Sequence, residues 1–396
     1  MRKWRFILWL LVLGLSLVAC RKGDPVVSTE VTTLGAGGDP GDVEGMWLLN
    51  EGNMGSNKST LDYLDMTKDP WEYKRNYYSQ ANPGVVKELG DVGNDIAIYG
   101  NRLYLVINCS NKVEILHART GKRIGKVDIP NCRYIKFKDS IAYVSSYVGK
   151  VKLGPQSEQQ LGEVVSFDVR TMKIIARCQV GYQPDELCIV GDKIYVANSG
   201  GYDPDKYDNS VSVIALRGEG AMEHLGKITI QNNLFRCQAD AYGHLWVTSR
   251  GDYHHLPSRL FRLDKDESIL GYHVADTIDR VVTNMRICED TLFCYGEDYS
   301  YIKGGFLPYG FFAVDTRTGE VIEDARIIDA SHKYKHPYGI QVHPVLRYRF
   351  VTDAFNYVSS GTLHCYDGAG HHLWETNTGD IPAHMCFLYK KGKQGR

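Results

Sequence analysis

A short stretch, apolar at its first and fourth positions, returns seven times through the 396 residues at nearly constant spacing. Leu61-Asp62-Tyr63-Leu64-Asp65 and Leu260-Phe261-Arg262-Leu263-Asp264 are typical copies. The seven end at Asp65, His117, Asp168, Ala215, Asp264, Asp315 and Asp367, which lie 52, 51, 47, 49, 51 and 52 positions apart. A fixed period near 50 residues is the signature of stacked four-stranded units, none of which can bury its apolar face alone. Seven of them predict an all-β chain folded as a seven-bladed β-propeller. Upstream of each signature strand a hairpin is expected, as in Asp95–Tyr99 with Leu103–Asn108, joined by a tight turn such as Gly100-Asn101. The N-terminal repeat lacks its first hairpin strand. Ala383-His384-Met385-Cys386-Phe387-Leu388 supplies it from the far end, so the C-terminal strand is predicted to pair with Met46-Trp47-Leu48-Leu49 and close the ring. Closure of this kind protects a sheet edge that would otherwise be open to aggregation.

The start of the chain obeys different rules. Arg2, Lys3 and Arg5 precede an apolar run from Phe6 to Val18, followed by Leu17-Val18-Ala19-Cys20. A cationic start, a short apolar core and a small residue before Cys read as a bacterial lipoprotein signal peptide over 1–19, with lipid on Cys20. The apolar run is too short for a membrane-spanning helix, which needs about 20 residues. Residues 20–45 hold the lipidated Cys and a Gly-, Asp- and Thr-rich stretch without apolar period, expected to be a flexible linker. The propeller is assigned to 46–390 and a tail to 391–396. Removal of the signal leaves 43 basic against 47 acidic residues, with no clustered basic face of the kind nucleic-acid binding requires. Of the ten cysteines, most sit inside apolar strands and should behave as small hydrophobes. Cys109 and Cys132, in loops of neighbouring blades, are the one pair open to a disulfide.

Topology selects a functional face. The two strands of a hairpin are antiparallel, so the starts of the inner strands and the ends of the second strands share one rim. That rim gathers Asn53, Asn94, Asp95, Arg133, Tyr134, Tyr147, Asp185, Asn198 and Tyr202 from the first half of the chain. From the second half it gathers Arg236, Arg250, Asp252, Tyr253, Tyr299, Tyr338, Asn356, Tyr357 and His384. Tyrosine offers a flat apolar face with one polar tip at low entropy cost, and Asn and Arg supply amide-directed hydrogen bonds. The combination points to a large, amide-rich, partly apolar ligand over the central funnel. Loops of the other rim, such as Thr120-Gly121-Lys122, read as plain turns. Taken singly, Asn and Asp at strand ends also cap turns.

Two further chemistries compete for this face. Glu51, Asn94, Asp95, Asp185 and Asp353 are oxygen donors that would suit calcium if they converged. No two carboxylates hold equivalent inner positions in successive blades, and no metal ligands are assigned. His336 and His384 enter neighbouring inner strands and would form an acid–base pair if brought together. No Ser–His–Asp spacing or nucleophile elbow accompanies them.

The runs Leu49-Asn50-Glu51-Gly52-Asn53, Gly90-Asp91-Val92-Gly93-Asn94-Asp95, Gly181-Tyr182-Gln183-Pro184, Ala197-Asn198-Ser199-Gly200-Gly201-Tyr202, Ser249-Arg250-Gly251-Asp252-Tyr253 and Gly379-Asp380-Ile381-Pro382-Ala383-His384 resemble YncE-type seven-bladed propellers. More narrowly, they are similar to the BtuG-like surface lipoproteins. The resemblance implies capture of cobalamin or a related corrinoid as bound ligand, without catalysis and with no other cofactor. It further implies delivery to an outer-membrane TonB-dependent transporter by a protein held by its lipid at the cell surface. The alternatives are a metal-assisted lyase or hydrolase and an envelope interaction scaffold.

Overall fold

A computed structural model describes residues 29–35, 37–85, 89–149, 160–322, 328 and 333–392. The expected signal peptide, Cys20 and residues 393–396 of the expected tail lie outside the described residues.

The chain forms the expected ring of seven antiparallel blades. Blades 2 to 7 begin with the inner strands Gly93–Tyr99, Cys132–Lys138, Pro184–Val190, Leu234–Ala239, Asn284–Cys288 and Pro337–Val342. Each then steps outward through three more strands in sequence order. Blade 1 takes its inner strand, Pro382–Tyr389, from the C-terminus, in register Met46↔Phe387, Leu48↔Met385 and Leu49↔His384. The sheet then continues outward through Val43–Asn50, Thr60–Asp65 and Glu72–Arg75.

Strand alternation turns one set of side chains of each blade toward each neighbour. Seven apolar clusters result, one per seam. Leu48, Trp71, Met385 and Phe387 meet Phe350 and Leu363 between blades 1 and 7. Trp246 and Leu260 meet Met285, Leu292 and Val314 between blades 5 and 6. The ring is therefore a closed cycle of small cores, and the seam between blades 1 and 7 is packed like the others.

One boundary differs from expectation. Part of the stretch assigned to a flexible linker is a fifth, outermost strand of blade 1, Glu30–Thr33, paired as Val31↔Lys74 and Thr32↔Tyr73. Leu34 then drops into the blade 1/7 core, its N–H donating to Trp71 O at 2.8 Å. A lone Leu behind an exposed, polar edge strand leaves no apolar period to read. Among the cysteines, Cys109 and Cys132 are not bonded. Cys132 is buried with Sγ 3.3 Å from Lys112 O, and burial pushes its thiol up to about 12. The close pair is instead Cys188 and Cys237 on adjacent inner strands, Sγ to Sγ 3.4 Å.

Candidate functional site

The residue just before the inner strand sits in the left-handed region in five blades, at Val92, Asn131, Gln183, Asn233 and Ile381. For the β-branched Val92 and Ile381 this conformation is costly. Both line a cavity of about 420 Å³ at the mouth of the funnel. A second cavity of about 330 Å³ adjoins it and shares Arg250, Thr283 and Tyr338. The mouth is thus one recess in two lobes.

Twelve of the eighteen residues expected at the site line it. Asn53, Asn94, Arg133, Tyr134, Tyr202, Arg236, Arg250, Tyr338 and His384 face the larger lobe. Tyr253, Tyr299 and Tyr357 face the smaller, together with Tyr338. Gly251 makes the loop carrying Arg250 and Tyr253 possible: at φ +66° a Cβ there would lie 2.0 Å from Leu256 O.

The other six do not line the cavities, for definite reasons. Asp185 and Tyr147 form a buried support: Asp185 Oδ1 accepts from Arg133 Nε at 3.0 Å, Arg133 Nη2 at 2.9 Å and the Tyr147 hydroxyl at 2.9 Å. Asp95 accepts the N–H of Ile135 on the next inner strand at 3.0 Å, and burial raises its carboxyl above the usual range. Asn198 turns back into its own blade, where Nδ2 donates to Ser210 O at 3.0 Å and Ser212 Oγ at 2.9 Å. Asp252 accepts the N–H groups of His254, His255 and Leu256, each at 2.8 Å. Asn356 accepts those of Val358 and Ser359. These last two are turn caps.

The charged groups of the mouth fall into two sectors. On blades 3 to 5 three guanidiniums are interleaved with aromatic rings. Arg250 lies 3.5 Å and Arg236 4.4 Å from the Phe235 centroid, and Arg133 lies 4.9 Å from that of Tyr147. Arg236 Nη1 also donates to the Tyr134 hydroxyl at 3.1 Å. Such stacking holds the cations flat and leaves their edges to meet acceptors.

On blades 1, 6 and 7 two carboxylate–histidine pairs face them. Glu51 Oε1 is 3.1 Å from His384 Nε2, and Glu51 Oε2 accepts from the Tyr338 hydroxyl at 3.0 Å. Glu297 Oε2 is 3.0 Å from His336 Nδ1 and 3.5 Å from the Tyr357 hydroxyl. Burial raises the Glu297 carboxyl despite His336 beside it. Burial, with the Glu51 carboxylate adding to it, keeps the Tyr338 phenol protonated far above neutrality. His336 and His384 are thus each paired with a carboxylate and not with one another. The oxygen donors weighed for calcium are engaged separately too: Asp353 accepts the N–H groups of Lys335 and His336, and Asp185 holds Arg133. Glu51, Glu297 and His336 were not among the eighteen, nor was Phe235. Glu51 meets a partner 333 residues away, and no local pattern signals that.

A two-stranded insertion, Tyr299–Ser300 with Gly305–Phe306, rises beside the smaller lobe. Tyr301, Ile302 and Phe306 on it are exposed, as are Met54, Phe355 and Val358 on neighbouring mouth loops. The recess is therefore collared by apolar side chains.

No protein-family model and no curated protein sequence matches the chain. Solved structures do. The periplasmic gluconolactonase PpgL of Pseudomonas aeruginosa aligns over 87% of this chain and 99% of its own, at 13% identity and TM-score 0.58. Hydrazine synthase of Kuenenia stuttgartiensis aligns over 76% and 96%, at 14% identity and TM-score 0.56. Apo AztD of Citrobacter koseri aligns over 95% and 94%, at 12% identity and TM-score 0.51. At such identities the likeness is one of fold, the propeller. It corrects one expectation, that the chain is without catalysis: enzymes are built on this architecture, so nothing in the fold excludes chemistry at the mouth.

Proposed function

We propose that the mouth is a binding site for a large organic ligand that is apolar across its body and rich in amides at its edge, a corrinoid such as cobalamin being the best match. The observation that carries this reading is the meeting of flat cations, tyrosines and amides in one recess under an apolar collar. Specific small-molecule sites combine such an apolar wall with a few placed polar groups. Arg133, Arg236 and Arg250 would meet the carbonyl oxygens of amide side arms, Asn53 and Asn94 would meet amides of either polarity, and Tyr253, Tyr299 and Phe306 would cover the ring edge. The resemblance of the mouth loops to BtuG-like lipoproteins points the same way. It extends the proposal to a lipid on Cys20, an outer-membrane location and transfer to a TonB-dependent transporter. Titration of the mature chain with cyanocobalamin tests the reading: one bound ligand per chain supports it, and neither heat nor spectral change at micromolar ligand overturns it.

A second reading is favoured by the Glu297–His336–Tyr357 group. A carboxyl raised by burial beside an imidazole is suited to proton transfer. In that reading the recess would turn over an ester, such as a lactone, or another proton-labile substrate. Loss of turnover in Glu297→Gln, with corrinoid affinity unchanged, would separate it from the first.

A further inference from the structure

Among the described residues, one group of three His, Cys, Asp or Glu donors converges, and it lies away from the mouth. We propose that His364, His372 and Glu375, on the two outer strands of blade 7, bind one divalent transition-metal cation, with zinc the best match. The site is made by a register shift. His364 pairs directly with Glu375 across the two strands, and Tyr366 pairs with His372. Three residues apart on a regular strand, His372 and Glu375 would face opposite sides. The extra residue between Cys365/Trp374 and Tyr366/His372 is Leu373, and the bulge it makes returns His372 to the face of Glu375.

The donor atoms lie within 4.8 Å of one another, with Glu375 Oε2 3.3 Å from His364 Nδ1 and 4.0 Å from His372 Nε2. Tetrahedral coordination at 2.0–2.2 Å sets ligand atoms about 3.3–3.5 Å apart. The shorter leg already fits. The Glu375–His372 separation would shorten by a small swing of the half-exposed Glu375 side chain, and the two imidazole nitrogens, which lie within 4.8 Å of each other, would settle to the same spacing on the cation. Two imidazoles and one carboxylate suit zinc and its neighbours better than calcium or magnesium, which prefer all-oxygen sites.

The surroundings supply orientation. Thr362 Oγ1 lies 2.7 Å from His364 Nε2. By accepting Nε2–H it directs the lone pair of Nδ1 toward Glu375, the outer hydrogen bond that metal-bound histidines characteristically make. The His372 ring packs edge-on against Tyr366 at 5.2 Å, and Tyr334 packs on His364 at 5.0 Å. Bound metal would join the third and fourth strands of blade 7 beside the blade 6/7 seam. Protons compete for the same ring nitrogens, so affinity should fall as pH drops through the imidazole range.

The test uses the untagged mature chain, stripped with chelator and titrated with Zn²⁺ and with Co²⁺. The expected result is one site per chain, a visible Co²⁺ spectrum of low coordination number, and a Tm that rises with Zn²⁺. His372→Ala and Glu375→Gln should each weaken binding at least tenfold and remove the Zn²⁺-dependent rise. Thr362→Val should weaken it about 10- to 100-fold, the usual effect of losing such an outer partner. Because His372 and Glu375 stand on an outer edge strand, their variants should fold, which circular dichroism of the metal-free proteins checks. Absence of stoichiometric binding in the wild type, or its retention in both variants, overturns the proposal.

Discussion

The two rims of the disc satisfy many of their acids differently. On the closed rim, the one opposite the mouth, several acids take local partners, although Tyr242 also reaches Asp290 of the next blade at 2.6 Å. Asp168 Oδ1 accepts the N–H of Arg170 at 2.8 Å and of Thr171 at 2.7 Å, and Asp367 Oδ1 does the same for Ala369 and His371. Each acid closes its own turn. At the mouth the partners are distant in sequence: Arg133 and Asp185, on neighbouring blades, are 52 residues apart, Tyr338 and Glu51, also on neighbouring blades, 287, and His384 and Glu51, from the two strands that close blade 1, 333. A turn acid can be satisfied as soon as its loop forms. A mouth pair exists only once separate strands or blades have docked, and at least one of its groups lines the recess. The difference teaches which polar residues of a propeller hold a loop together and which are presented to a guest.

Removing the acid on each side should break the symmetry most visibly. Asp185→Ala leaves the Arg133 guanidinium without its buried partner and is expected to cost about 3–5 kcal/mol in urea unfolding, together with ligand affinity. Asp367→Ala exposes two turn N–H groups to water and should cost less than about 1 kcal/mol, with binding unaltered. Equal losses would erase the distinction.

One group of the closed rim should matter more than its neighbours. His343 is fully buried, its Nδ1 accepting from Val345 N at 3.2 Å and Leu346 N at 3.1 Å, and burial lowers its pKa to about 4. The unfolded chain takes up a proton near pH 6.5 and the folded chain only near pH 4. Stability contributed by the neutral ring is therefore whole above about pH 6.5 and is lost as pH falls through the folded value, by about 3 kcal/mol in all. Urea midpoints at pH 7 and 4.5 should differ less in His343→Gln than in the wild type.

Smaller effects sharpen the boundary within the mouth itself. Arg250→Ala removes a cation stacked on Phe235 and should weaken ligand binding about tenfold or more with little change in Tm. Asn356→Asp, which keeps the oxygen that caps its turn, should leave both binding and Tm within error, although Asn356 lies on the same rim.

Much of this was legible in the residues. The period near 50 gave the blade number, and the missing first hairpin strand gave the closure of His384 against Leu49. Hairpin topology placed Arg250, Tyr253 and Tyr338 on one rim because antiparallel pairing fixes strand ends without knowledge of side chains. It could not say where each side chain points, so Asn198 and Asp252, at the same strand ends, proved to be internal bonds and a turn cap. Glu297 was missed because its partners, His336 and Tyr357, come from another blade, Phe235 because its role is set by how Arg250 folds back over it, and Glu51 was read only as an oxygen donor for calcium because nothing local shows that it meets His384. The bulge that joins His372 to Glu375 was equally hidden, since alternation alone assigns the two to opposite faces. The strand Glu30–Thr33 escaped notice because a polar edge carries no apolar rhythm.

The most direct measurement on the mouth compares wild type, Arg250→Ala and Asp367→Ala in one cyanocobalamin titration. One tight site is expected in the wild type, the same affinity in the closed-rim variant and a clear loss in the mouth variant. Absent binding in all three, or equal binding in all three, would contradict that expectation.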